Sequence, residues 1–284
     1  MAYYKSEDGG LRTNIIEKNL KGFALKEYVL KTLLAVQKTT GWTSQFFVEE
    51  PTELTAKGTR KIRGLPRLAE FPVANVKYET KESVMEKYGL RGFVSWEDAM
   101  TDNVPIIART LLRIGRAVVA STEGAIYLDL VSATGINTAN TTAPWDGAGL
   151  SPVKDFLSCK RLITDNNYSA DGITLVVNRY DYDMLVLYLI GLGANAPKLA
   201  EKALSGGKTM ELAGIGDIMI SDTIAVDKAL IIKKGEAANW KELSPLTVFT
   251  KINEGIHYEI RAFEFGITEV VNPKQIVLLS NTRT

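Results

Sequence analysis

The chain is organised around one stretch, residues 102–124, which reads DNVPIIARTLLRIGRAVVASTEG. Apolar side chains recur along it at intervals of four, three and four, the spacing of an amphipathic helix. These positions are Ile107, Leu111, Ile114 and Val118. Arg109, Arg113 and Arg116 lie outside this apolar stripe, and Pro105 suits a first helical turn. A helix of roughly 20 residues spans about 30 Å. We therefore expect it to separate a charged, extended region from an α/β region that ends in strands.

The composition is that of an ordinary soluble globular protein. The 284 residues are 45% hydrophobic and 24% charged, with a net charge of +1, which argues against a dedicated nucleic-acid binder. The charge is uneven, because residues 1–91 hold 16 Lys and Arg against 11 Asp and Glu, whereas residues 92–284 hold 18 against 22. The two parts, at +5 and −4, could attract each other within one chain or between copies.

Several classes of protein are disfavoured by what the sequence contains. A single cysteine, Cys159, provides no disulfide framework, and a single histidine, His257, leaves little for a transition-metal site. No apolar run reaches transmembrane length, and the N-terminus lacks the apolar segment of a signal peptide. We expect a protein made and used in a cytoplasm, without a membrane partner.

The most unusual segment is residues 42–91. A strand-like run at residues 46–48 ends at Glu49-Glu50-Pro51, and alternation returns over residues 73–80. The middle is basic, rich in Gly and Pro, and poor in large apolar side chains. An isolated hairpin is marginal in water, so this segment predicts a two-stranded arm that another molecule or the parent domain covers. Its acidic and basic residues are candidates for docking on a neighbouring copy. They are Glu49, Glu50, Glu53, Lys57, Arg60, Lys61, Arg63 and Arg67.

The remaining elements follow from periodicity and capping signals. Residues 23–36 have the spacing of a short amphipathic helix that ends near residues 39–41. Ser95 is a plausible cap for a short turn or helix, residues 125–131 fit a strand or a helical continuation, and residues 134–150 have the composition of a loop. Further helices are predicted over 151–164 with Ser151 as cap and Pro152 first, over 179–190 with Asn178 as cap, and over 196–204. Strands are predicted over 173–177, 217–221, 228–233, 246–252, 257–268 and 276–280.

No residue pattern favours catalysis or cofactor binding over a structural role. His257 begins an alternating strand pattern, and Cys159 lies on a helix, where a small packing role is commoner than a nucleophilic one. Residues 206–209, GGKT, resemble the end of a phosphate loop, but residue 202 is Lys where the motif needs Gly. Asp181 and Asp183 lie near a helix start, where the helix dipole favours carboxylates, so a bound metal is not needed to explain them. We therefore predict no catalytic, cofactor-binding or metal-binding residues.

In the order of its predicted elements and in their residue patterns, the chain resembles the major capsid proteins of tailed phages and related archaeal viruses, which have the Hong Kong 97 fold. The marks are the arm, the hairpin, the long helix, the strand–Asn–helix unit DGITLVVNRYDYDML from residue 171, and the ending HYEIRAFEFGITEVVNPKQIVLL. The resemblance implies an α+β fold in which that helix is the spine helix. It implies an N-terminal arm (1–41), an extended loop (42–91), a peripheral domain (92–134), an apical domain (135–245) and peripheral return strands (246–284).

The resemblance also implies a function. It predicts a structural subunit, not an enzyme, that assembles into hexamers and pentamers of an icosahedral shell enclosing double-stranded DNA. The implied partners are further copies, scaffolding, portal and decoration proteins, and packaged DNA, with assembly in a host cytoplasm. No residue pair is assigned to a Lys–Asn crosslink. Three alternatives stay open: an encapsulin-like compartment with an enzyme cargo, an α/β enzyme, and a nucleic-acid-binding module that uses the basic tip of the arm.

Overall fold

The computed structural model describes residues 27–49, 78–101, 104–147, 149–166, 168–191, 217–253 and 255–284, together with Lys18, Leu20, Gly22 and Arg67. The helices are α1 (Trp96–Met100), α2 (Val104–Ser132), α3 (Pro152–Thr164) and α4 (Arg179–Gly191), with short 3-10 turns at Lys31–Leu33 and Pro273–Gln275. The strands are β1 (Ala35–Lys38), β2 (Thr43–Glu49), β3 (Tyr78–Val84), β4 (Glu86–Ser95), β5 (Asn137–Asn140), β6 (Ile173–Val177), β7 (Ile218–Ile220), β8 (Lys228–Lys233), β9 (Ala238–Asn253), β10 (His257–Val270) and β11 (Ile276–Ser280).

The long helix α2 has 29 residues, which corresponds to about 44 Å. The predicted apolar stripe is confirmed, because Ile107, Leu111, Ile114 and Val118 are all buried. Residues 125–131 are helix and not strand, so α2 continues to Ser132. Gly135, at φ +90°, then turns the chain away in a conformation that L-residues rarely adopt.

One layer of the fold is a four-stranded sheet, β1-β9-β10-β4, that packs on α2. Along β10 the side chains alternate, so that Ile260 and Ala262 join the apolar residues of α2 in one core. A Cβ added to Gly92 of β4 would lie 2.6 Å from Ile114 Cδ1, which shows how closely α2 approaches the sheet. The opposite side of the sheet faces away from this core.

A second layer is the five-stranded sheet β5-β11-β8-β6-β7. All five residues of β6, Ile173–Val177, are buried, as a central strand covered on both faces requires. Helices α3 and α4 cover it with Phe156, Ile163 and Leu185. Strands β6, β8 and β11 match the predictions in position and type.

The predicted caps are confirmed in two places and wrong in one. The Ser95 hydroxyl accepts the Asp98 N–H at 3.1 Å, and the Asn178 side-chain oxygen accepts the Tyr180 N–H at 3.2 Å. Ser151 precedes α3, but its side chain makes no cap hydrogen bond; only the predicted Pro152 at the first turn is confirmed.

Two further predictions are corrected. Residues 134–150 are not entirely loop, because residues 137–140 form β5, which pairs in parallel with β11. The helix predicted over 23–36 does not reach its predicted end: Lys31–Leu33 form one 3-10 turn, and Ala35–Lys38 pair in parallel with β9 as strand β1. Residues 23–26 and the predicted helix at 196–204 lie outside the described residues.

The strand pairing crosses two of the predicted domain limits. The limit between residues 91 and 92 falls inside β4, and the limit between residues 245 and 246 falls inside β9. The last strand, β11, pairs with β8 and β5 and so completes the second sheet. Among the described residues, no helix is long and apolar enough to span a membrane.

Candidate assembly surface

The extended segment begins and ends as a two-stranded sheet of its own. Strand β2 pairs antiparallel with β3, with Thr43 opposite Val84 and Glu49 opposite Tyr78. The predicted strand at residues 46–48 is therefore confirmed. On one face of the pair Val48 and Ser83 are buried, whereas Val84 and Glu82 on the other face are exposed.

This hairpin base is fixed to the body of the same chain. The Met85 N–H donates to the Trp42 carbonyl at 2.9 Å, which extends the pairing of the two strands, and the Glu49 N–H donates to the Val271 carbonyl of the body at 3.0 Å. Ser83 donates its hydroxyl to Glu269 at 2.9 Å in a buried position. The base of the hairpin therefore has a fixed position against the body of its own chain.

The structure describes two of the eight predicted contact residues. The Glu49 carboxylate accepts a hydrogen bond from the Tyr168 hydroxyl of its own chain at 3.3 Å, and burial together with this carboxylate raises the pKa of Tyr168 to about 12. Arg67 is exposed. The others lie outside the described residues, and they are Glu50, Glu53, Lys57, Arg60, Lys61 and Arg63. Their role in contacts between copies stays a prediction.

Beside the hairpin base, the outer side of the four-stranded sheet carries a row of aromatic rings. Phe249 stacks on Phe263 with ring centroids 5.6 Å apart, and Phe263 meets Phe265 edge-on at 5.5 Å. Trp42 packs edge-on against Phe265 at 5.3 Å, and Phe93 packs against the His257 ring at 4.7 Å. We call this surface the aromatic face, and its members are Trp42, Phe93, Phe249, His257, Phe263 and Phe265.

Three members of the aromatic face are exposed although they are large and apolar, and the other three are half-buried. Phe93 is 52% exposed, Phe249 57% and Trp42 58%. Contiguous exposed apolar patches of this kind mark sites where another protein binds. Aromatic side chains also contribute much of the energy at such sites, because they bury a large area with few rotatable bonds.

Cationic side chains are interleaved with these rings. The Lys87 ammonium lies 5.1 Å from the centroid of Phe263 and 5.4 Å from that of Phe265, and the Arg91 guanidinium lies 5.6 Å from Phe93. Arg261 donates two hydrogen bonds to Glu259, at 2.8 and 2.9 Å, which holds the pKa of this carboxyl below its usual range. Glu259 is thus already paired, and this side of the sheet favours an apolar or acidic partner.

Sequence reasoning did not find the aromatic face. Three of its rings stand in the run HYEIRAFEF from residue 257, where the alternation predicted a strand but not which side would be covered. The buried side takes Ile260, Ala262 and Glu264, and the side away from α2 takes Phe263 and Phe265. Two phenylalanines out of phase with the core residues were the available signal.

The residues considered for catalysis have structural surroundings. Cys159 is fully buried, and burial beside Asp155 raises the pKa of its thiol to about 12, so the reactive thiolate is strongly disfavoured. His257 Nε2 shares a 2.9 Å hydrogen bond with the Asn253 amide. The buried carboxylate of Asp181 accepts hydrogen bonds from Thr282 and Arg283 at 3.0 and 3.1 Å. The sequence 206–209 lies outside the described residues.

One cleft among the described residues was considered as a site for a small ligand. A cleft between the hairpin base and the end of α2 has a volume of about 170 Å³, below the about 300–1,000 Å³ typical of ligand pockets. Asp129 and Lys81 line it together with Phe46 and Thr268. In the described ranges, no group of three or more His, Cys, Asp or Glu side chains could hold a metal ion.

Comparison with known structures identifies the fold. The chain is similar to a virus-like particle protein from Pyrococcus furiosus, with a TM-score of 0.67, 15% identity, and coverage of 94% of this chain and 99% of that one. It is also similar to the capsid of cyanophage P-SCSP1u (TM-score 0.65, 13% identity, 89% and 87% covered). A third similar structure is that of Mycobacterium phage Che8, with a TM-score of 0.60, 17% identity, and coverage of 90% of this chain and 92% of that one. The predicted Hong Kong 97-type α+β fold is confirmed.

Comparison of the sequence with families gives a more specific result. No curated protein matches this chain. The family model of the phage capsid protein matches residues 78–277, from the returning hairpin strand to the last strand. With this match over well more than half of its length, and with capsid proteins as its structural neighbours, the chain belongs to the phage capsid protein family and has a structural role.

Proposed function

We propose that copies of this chain assemble into the hexamers and pentamers of an icosahedral shell that encloses a double-stranded DNA genome. The observation that carries this proposal is the aromatic face. A single copy exposes it, yet the fold family is one whose members form closed shells, so other copies supply its cover. Many contacts of modest area, repeated by symmetry, then stabilise the shell.

The hairpin supplies the complementary element. Its base leaves the body beside the aromatic face, and the exposed side of its strands carries Val84 and Glu82. Such a surface matches apolar rings interleaved with Lys87 and Arg91. We propose that the hairpin of one copy lies over the next copy, where the predicted basic residues from Lys57 to Arg67 pair with carboxylates. Scaffolding, portal and decoration proteins would be further partners, and assembly would take place in the host cytoplasm.

The test replaces Phe93 and Phe249 with Ser and counts closed particles by negative-stain electron microscopy and sedimentation. Burying one Phe side chain contributes about 1.5–3 kcal/mol, so we expect the yield of shells to fall at least about tenfold. The urea midpoint of the unassembled subunit should stay unchanged, because both rings are more than half exposed.

Leu187→Ser is the matched control, since Leu187 is 58% exposed on α4, a helix that covers the five-stranded sheet instead. An unchanged yield in the Phe93→Ser/Phe249→Ser variant, or an equal loss in the control, would remove the aromatic face from the assembly contacts. A wild-type chain that stays monomeric under all assembly conditions would contradict the proposed function itself.

The basic residues of the hairpin are tested separately. Replacing Lys57, Arg60, Lys61 and Arg63 with Ser should weaken assembly while leaving the fold of the subunit intact. Shells that form with unchanged yield and stability would show that these charges make no contact between copies.

A further inference from the structure

A stripe of arginines runs along the exposed side of α2. At about 100° per residue, Arg109, Arg113 and Arg116 lie within about 60° of one another and about 200° from the apolar stripe that packs on the sheet. All three side chains are exposed. They therefore point away from the aromatic face, on the opposite side of the helix–sheet layer.

The stripe has almost no compensating charge. The other charged residues of α2 are Glu123, which is buried, and Asp129, which is partly buried, so all of the exposed charge on this helix is positive. Arg116 pairs with Glu27 at 2.7 Å. Within the part of the chain that the structure describes, Arg109 and Arg113 form no ion pair. Like charges four residues apart repel each other along a helix, so this arrangement favours an anionic partner.

The residues between the arginines indicate which anion fits. The exposed residues beside the arginines are mostly small, Ala117 and Ala120, with one larger aliphatic side chain, Ile106, 40% exposed at the start of the stripe. None of them offers a ring on which bases could stack, and a single aliphatic side chain is a weak anchor for a peptide. Small side chains between guanidinium groups leave a flat, positively charged ridge. Such a ridge suits the regular phosphates of a duplex, read without regard to sequence.

We propose that the arginine stripe of α2 binds the phosphate backbone of duplex DNA and forms part of the DNA-facing surface of the shell. The proposal rests on the proposed function, because only a shell gives the two sides of the helix–sheet layer different surroundings. Arg109 and Arg113 each neutralise a phosphate. Glu27 occupies Arg116 and weakens its contribution.

The experiment measures binding of a 30-base-pair duplex of arbitrary sequence to the full-length chain over a range of NaCl concentrations. The protein is kept dilute enough for sedimentation to show only unassembled subunits. In Arg109→Gln/Arg113→Gln, the slope of log K against log[NaCl] should become shallower by about 1.8, the value for two lost phosphate contacts. Arg109→Lys/Arg113→Lys should retain the wild-type slope, since Lys also neutralises a phosphate. Glu27→Gln should steepen the slope by about 0.9, because it releases Arg116.

Arg179→Gln is the control, because Arg179 is similarly exposed but lies on α4 beside Asp222. An unchanged slope in the double Gln variant, or an equal loss in Arg179→Gln, would overturn the proposal. So would a poly-glutamate peptide that binds with the same dependence on Arg109 and Arg113, since it would indicate an acidic protein partner. Particle formation by the same variants is scored by electron microscopy. If the double Gln variant forms shells and keeps the wild-type slope of log K against log[NaCl], only this inference is contradicted. If the wild-type chain forms no shells, the proposed function is contradicted.

Discussion

The carboxylate of Glu123, in the second half of α2, accepts the backbone N–H groups of both Leu30 and Lys31, at 2.7 and 3.0 Å. These amides begin the 3-10 turn at Lys31–Leu33, where no helical carbonyl is available to them. A side chain 93 residues away thus caps the turn. Burial raises the pKa of Glu123, and these hydrogen bonds oppose the rise.

We expect Glu123→Ala to lower the free energy of unfolding by about 2–3 kcal/mol, because two buried amides lose their acceptor. Glu123→Gln should cost less, since one oxygen remains to accept. Urea unfolding of the unassembled subunit measures both variants. Glu27→Ala, which removes an exposed pair, should cost less than about 1 kcal/mol and is the control. A loss as small for Glu123→Ala would show that water replaces the carboxylate.

Lys31 links the same segment to the four-stranded sheet. Its ammonium pairs with Glu264 and, at 3.3 Å, with Glu242, and it lies 5.2 Å from the centroid of Trp240. Tyr28 donates its hydroxyl to Glu264 at 2.6 Å, and burial near this carboxylate raises the pKa of Tyr28. Glu264 is fully buried, so the lysine is its compensating charge.

Lys31→Met should destabilise the subunit by about 3–5 kcal/mol, because it leaves a buried carboxylate without a cation. Adding Glu264→Gln to that variant should restore part of the loss, since the orphaned charge is then removed. A double-mutant cycle by urea unfolding measures this coupling. Two independent, additive losses would mean that Lys31 and Glu264 do not compensate each other in the fold.

Asp129, in the cleft under the hairpin base, gives a prediction on pH. Burial raises the pKa of its carboxyl, with a smaller contribution from the nearby Glu86. The folded state therefore holds this proton more tightly than the unfolded state, and its contribution to stability is lost as pH rises through the folded pKa. Between pH 7 and pH 4, wild type should gain stability relative to Asp129→Asn as the pH falls. A constant difference between the two would show that Asp129 titrates normally.

The sequence was most informative where local periodicity and burial agree. The stripe from Ile107 to Val118 predicted α2, and the unbroken apolar run at residues 173–177 predicted β6, because in both cases the local pattern coincides with the tertiary role. Residues 35–38 show the reverse. AVQK continues a helical spacing, yet these residues form a strand, because β9, which is distant in the sequence, supplies the partners for their backbone groups.

The candidate site was harder to predict for a related reason. The sequence predicted contacts between copies at Glu49 and the basic residues beyond it, because charged residues can be recognised without knowing the fold. The aromatic face joins Phe93, Phe249 and Phe263 from three separate strands, and only the register of β4, β9 and β10 places them on one side. Trp42 comes from a fourth segment and joins them through its contact with Phe265. No spacing within one segment encodes that proximity.

Two glycines provide a matched pair for testing the packing of the sheet. A Cβ at Gly266 in β10 would lie 2.3 Å from Trp240 Cζ2 and 2.8 Å from the Lys241 carbonyl oxygen. Trp240 is fully buried and cannot move without disturbing its neighbours. We expect Gly266→Ala to lower the free energy of unfolding by about 1–3 kcal/mol, because the added methyl group overpacks the core.

At Gly124 in α2, by contrast, a Cβ would meet nothing within 4 Å. Gly124→Ala should raise stability by about 0.5–1 kcal/mol through helix propensity. Urea unfolding of both variants tests the argument, and a tolerated Gly266→Ala would mean that Trp240 has room that the packing of β9 on β10 does not show.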